Sequence, residues 1–82
     1  IIDNYTPTGV SVFPNPAVGD LHIINPFNNI DIGIYNTLGE QILEISSDKS
    51  LINLDIRYLS SGFYFVRYKS QNNNGIIKFI KI

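Results

Sequence analysis

Cysteine, methionine and tryptophan are absent from the 82-residue chain, and histidine occurs once. Without cysteine there is neither a disulfide nor a thiolate metal site, so the fold must rest on its apolar core. A lone histidine leaves too few ligands for zinc, and no cofactor is implied. Charge is also sparse: charged residues make up 16% and the net charge is −1. That balance gives no electrostatic reason to expect nucleic acid or an anionic membrane as a partner. Apolar runs such as Phe63-Tyr64-Phe65-Val66 fall far short of the roughly 20 residues of a spanning helix, so no stable membrane insertion is expected. A start methionine and a basic stretch leading into an apolar one are missing, and the chain opens on Ile1-Ile2-Asp3. It therefore reads as a piece of a longer protein whose N-terminal address lies upstream.

What is present points to β structure. Hydrophobic residues supply 44% of the chain, enough for one core in one domain. A domain this short buries only about 60% of the surface its unfolded chain exposes, so its stability is expected to be modest. Isoleucine, tyrosine and phenylalanine dominate, while alanine is nearly missing. Branched and aromatic side chains suit a pleated, half-buried surface and lose rotamer freedom in helices. The polar set leans on asparagine and serine, which favour turns.

Residues 1 to 9, with Pro7 and Gly9, read as a linker from an upstream cargo, and residues 10 to 82 as the domain. Val10 to Phe13 is a short strand stopped by Pro14-Asn15-Pro16, whose prolines lack backbone donors. Leu21 to Ile24 follows with Leu21 and Ile23 on one face. Ile30 to Tyr35 alternates with its three isoleucines inward. Asn36-Thr37-Leu38-Gly39 is a tight connection in which Gly39 supplies a positive φ, and Glu40 to Ile45 returns. Leu51 to Ile56 alternates again, Leu59 to Gly62 turns, and Phe63 to Lys69 is the strongest strand. Asn74-Gly75 predicts a hairpin into Ile76 to Ile82. About seven short strands at regular spacing predict an antiparallel two-sheet sandwich, with a small closed barrel as the alternative.

No motif carries enzyme chemistry. His22 lacks a nucleophile-elbow partner and is expected to face outward between inward Leu21 and Ile23. Asp20, Asp31, Asp48, Asp55, Glu40 and Glu44 sit on polar strand faces or in loops, as solvated carboxylates do. The asparagine-rich loop at residues 72 to 75 does not match calcium-loop spacing and is read as a turn. Phe27, Tyr35 and Tyr58 are candidates for a sugar-stacking platform, against ordinary sandwich packing.

Several fragments, taken in order, carry a resemblance. They are Val12-Phe13-Pro14-Asn15-Pro16, Leu21-His22-Ile23, Ile34-Tyr35-Asn36 with Gly39-Glu40, Leu54-Asp55, Leu59 to Arg67, and the terminal Lys78-Phe79-Ile80-Lys81-Ile82. Together they resemble the type A C-terminal sorting domain of type IX secretion, from about residue 10 onward. The resemblance implies an immunoglobulin-like sandwich behind a cargo protein, and a signal that is not a catalyst. It implies transit through the periplasm, recognition by an outer-membrane translocon and its shuttle proteins, and removal by a surface sortase. The cargo then stays on the cell surface or is secreted. Residues carried over as recognition candidates are Pro14, Asn15, Pro16, Gly39, Gly62, Tyr64, Lys78, Phe79, Ile80, Lys81 and Ile82. The alternative function is a carbohydrate-binding or structural accessory sandwich on a secreted enzyme. A free-ending last strand would offer its backbone edge to the translocon, with Lys78 and Lys81 on opposite faces discouraging casual pairing.

Overall fold

Seven strands follow one another along the chain, and none of the described residues forms a helix. The structure, a computed structural model, describes residues 9–82; apart from Gly9, the expected linker lies outside them. The strands are β1 (Ser11–Phe13), β2 (Asp20–Ile24), β3 (Ile30–Tyr35), β4 (Gln41–Ser47), β5 (Leu51–Asp55), β6 (Gly62–Ser70) and β7 (Asn73–Lys81). One sheet has the order β1-β2-β5 and the other β4-β3-β6-β7, with every pair antiparallel.

Alternation explains the two layers. Leu21 and Ile23 of β2 and Ile52 and Leu54 of β5 point inward from the first sheet. Ile30, Ile32 and Ile34 of β3, Tyr64 and Val66 of β6, and Phe79 of β7 point inward from the second. Ala17, Ile56 and Leu59 complete the core from the connections. Each fully buried isoleucine or leucine contributes about 1.5–3 kcal/mol relative to exposure. The chain changes sheet after β2, after β4 and after β5. This is the Greek-key exchange of an immunoglobulin-like sandwich.

A tyrosine corner, typical of this architecture, marks the entry to β6. The Tyr64 hydroxyl donates to the Ser60 carbonyl at 2.7 Å, four residues upstream. Its ring stacks on Phe79 with centroids 5.6 Å apart. Gly62, just before it, has φ of +151°, a region that side chains with a Cβ rarely adopt.

The last hairpin departs from expectation. Its turn is Gln71-Asn72, closed by the Ser70–Asn73 pair, and Gln71 takes the positive φ, 49°. Asn74 and Gly75 lie inside β7, opposite Lys69 and Tyr68. Packing overrides the local Asn-Gly preference here, because this register sets Phe79 against Tyr64. Gly75 is used for close approach instead: a Cβ there would meet the Tyr68 hydroxyl at 2.6 Å and its ring at 2.7–2.8 Å.

Candidate functional site

All the recognition candidates except Gly39 gather around the last residues of β7. Pro14 and Pro16 flank Asn15 where the chain leaves β1, and the Phe13-Pro14 and Asn15-Pro16 peptide bonds are cis. Asn15 carries a primary amide, which has both the donor and the acceptor of a peptide group. Its Oδ1 accepts from the Ile80 backbone N–H at 2.9 Å, and its Nδ2 donates to the Lys78 carbonyl at 3.4 Å. Ala17 continues the pattern with its own backbone. Its N–H donates to the Ile80 carbonyl at 2.7 Å, and its carbonyl accepts from the Ile82 N–H at 2.8 Å. The result is a parallel bridge between Ala17 and Lys81. A side-chain amide and one residue of backbone thus act as a short eighth strand on the outer edge of β7.

This arrangement corrects the expectation that the last strand ends freely. From Lys78 to Ile82 its outer edge is occupied by Asn15 and Ala17. By the two-residue period of a strand, the outward backbone groups of Asn74 and Ile76 lie beyond the reach of this clasp. The other side of β7 is held by β6, with Gly62 opposite Lys81 and Tyr64 opposite Phe79.

The candidates divide into buried and exposed groups. Phe79, Tyr64 and Lys81 are buried, and the Lys81 ammonium donates to the Ile82 carbonyl at 2.9 Å. Lys81 therefore does not guard the edge against strangers. Lys78 does face outward, 5.0 Å from the centroid of the Phe63 ring, a cation–π contact. Pro14, Asn15, Pro16, Lys78, Ile80 and Ile82 form the exposed surface of the cluster. Gly39 is not part of it, being separated from β7 by β3 and β6. It closes the β3–β4 turn with φ of +84°. There Asn36 Oδ1 accepts from the N–H groups of Leu38 and Glu40 at 2.9 and 3.0 Å.

Several other polar residues serve local structure. His22 is half-buried on the outer face of its sheet, with Nδ1 2.6 Å from Asn53 Oδ1 and its ring beside Phe13. Asp55 pairs with Arg57 through Nε and Nη2 at 3.0 and 2.7 Å. Those side-chain hydrogen bonds, aided by the Arg57 backbone N–H, hold its carboxyl at about 2. Asp31 accepts from the Ser46 hydroxyl at 2.6 Å. No group of three or more potential metal ligands occurs among the described residues. Phe27 packs against the core, Tyr35 lies on the outer face of the four-stranded sheet and Tyr58 follows β5.

Ala17 is the participant that sequence reasoning missed, because it acts through backbone alone and an alanine after Pro16 carries no chemical signal. The Pro-Asn-Pro pattern points to Asn15, yet its role as a strand mimic is visible only once β7 lies beside it.

Comparison with known proteins bears on the family and the fold. The family described as the secretion system C-terminal sorting domain matches residues 11–82, from β1 through the clasped tail. No similar sequence was found among curated proteins. Among solved structures, a similar fold occurs in PorZ, an essential bacterial surface component of the type-IX secretion system of Porphyromonas gingivalis. The TM-score is 0.80 at 22% identity, over 90% of this chain and 11% of that one. The present chain thus corresponds to about a tenth of the length of PorZ. Domains of the matched family are sorting signals of type IX secretion, which engage its machinery for export across the outer membrane to the surface or the medium. With nearly its whole length matched and the expected sandwich in place, the chain belongs to the family of secretion system C-terminal sorting domains.

Proposed function

We propose that this domain delivers a covalently linked upstream cargo from the periplasm to the outer-membrane translocon. Shuttle proteins and the translocon read the exposed surface built from Pro14, Asn15, Pro16, Lys78, Ile80 and Ile82. Gly62, Tyr64, Phe79 and Lys81 hold that surface in place from beneath, and Gly39 shapes the distant β3–β4 turn. A surface sortase then cuts within residues 1 to 9 or upstream of them, and the cargo is anchored or released. The observation that carries this reading is the clasp itself. Two segments from opposite ends of a family-matched domain meet in four hydrogen bonds, with Pro14, Asn15, Pro16, Lys78, Ile80 and Ile82 exposed around them.

The test is a fluorescent protein fused ahead of residues 1 to 82 in a bacterium with the secretion system. Deleting residues 78 to 82 would also take Phe79 from the core, so surface variants are sharper. Lys78→Glu with Ile82→Asp, both at exposed positions, should leave melting nearly unchanged and hold the reporter in the periplasm. Normal export of that folded double variant would refute recognition at this surface. Export of the wild-type fusion without a working translocon would favour an accessory sandwich over a sorting signal.

A further inference from the structure

Beyond Lys78 and Ile80, the outward face of the four-stranded sheet takes no part in the clasp surface, and its charges are unevenly placed. Strand register sets Gln41, Tyr35, Phe65 and Lys78 in one row across it, and Glu44, Gly33, Arg67 and Ile76 in the next. Lys69 follows beside Arg67 on the same face of β6. Gly33 has no side chain, and the Tyr35 ring folds over it so closely that a Cβ there would sit 2.8 Å from the ring. Between the β3–β4 turn and β6–β7 this leaves a groove of ≈ 410 Å³, with Tyr35, Phe65, Arg67 and Ile76 among its lining residues.

Arg67, Lys69 and Lys78 are three of the six cations in the chain, and all three stand on the β6–β7 half of this face. None is in an ion pair among the described residues, where Arg57 with Asp55 is the pair that forms. Asp31, opposite Lys69 in register, accepts from Ser46 instead. Ile76, next to Arg67, is 64% exposed. An unpaired guanidinium beside aromatic and aliphatic surface is suited to a carboxylate held bidentately, with an apolar neighbour packed alongside.

We infer that this groove docks an acidic protein segment of the secretion machinery, its carboxylate on Arg67 and an adjacent apolar side chain against Tyr35, Phe65 and Ile76. A neutral saccharide would leave the Arg67 guanidinium without a counter-charge, which a carboxylate supplies bidentately. The inference rests on the sorting role and adds to it a groove that adjoins the clasp surface at Lys78.

The reporter fusion tests it with Arg67→Glu and Lys69→Glu together. Export should fall at least ten-fold at an unchanged melting temperature, while Lys49→Glu, a charge reversal away from this face, exports normally. If the wild-type fusion is not exported, the sorting role and the docking inference both fail. Should the wild type leave the cell and the folded double variant leave equally well, the docking inference alone is overturned. A photo-crosslinking p-benzoylphenylalanine at position 76, in otherwise wild-type background, identifies the occupant. Protease digestion of the adduct to an acidic peptide supports the inference, and a glycan adduct overturns it.

Discussion

Asn15 does with a side chain what a neighbouring strand would do with its backbone, and its loss can be measured. Asn15→Ala removes one acceptor and one donor from the edge of β7. The expected cost is about 1 kcal/mol, with the Ile80 amide exchanging about five-fold faster in hydrogen-exchange measurements. Asn15→Asp keeps the acceptor for Ile80 and should fall between wild type and alanine. The second residue-scale prediction concerns pH. Asp55 is held at about 2 by Arg57, below the ordinary carboxylate value near 4. Depression of a folded-state pKa means that the pairing stabilises the fold above about pH 4 and is lost as pH falls from about 4 toward 2. The melting temperature of wild type should therefore lose its lead over Asp55→Asn across that window. Because the pair is exposed, 1 M salt should shrink the lead at pH 7 as well. A lead that persists undiminished at pH 2 would contradict the assignment.

At the scale of elements, strands were more legible than turns. Alternation alone bounds Ile30 to Tyr35, because Ile30, Ile32 and Ile34 share one buried side. The β4 pattern was weaker because this edge strand is mostly half-buried and its register shifts at Ile34/Tyr35. The final hairpin shows where local chemistry loses. Asn74-Gly75 is the better turn in isolation, yet moving the turn there would part Phe79 from Tyr64. Gln71 bears the cost, with φ of 49°, a conformation unfavourable by about 1–2 kcal/mol for residues with a Cβ. Gln71→Gly should consequently raise stability by roughly 0.5 kcal/mol after the entropic penalty of glycine is subtracted. A chemical-denaturation midpoint that fails to rise would show that the turn is relaxed as it stands. The clasp was legible only in part. Pro-Asn-Pro announces a break in a strand, but pairing between the two ends of a domain leaves no local periodicity to read.

For the whole molecule, one continuous core does the work that disulfides do in other small extracellular domains. Total stability at this length is expected at roughly 4–12 kcal/mol. Ile32, 1% exposed at the centre of β3, is therefore a sensitive position. Ile32→Ala should cost about 2–5 kcal/mol and lower the melting temperature by more than 10 °C, approximately. The class of fold and the role of the domain could both be read beforehand, the first from alternation and the second from ordered fragments. The docking face could not, since it depends on which strands become neighbours. The parallel bridge between Ala17 and Lys81 has a mechanical consequence. If cargo pulls at the start of the domain while the machinery holds its tail, the two partners of a parallel pair are drawn past each other lengthwise. The load is then shared in shear across the Ala17–Ile80 and Ala17–Ile82 bonds, instead of opening them one by one. Resistance to such traction is governed by the rate of unfolding, and this short seam makes the first and last parts of the domain share the strain.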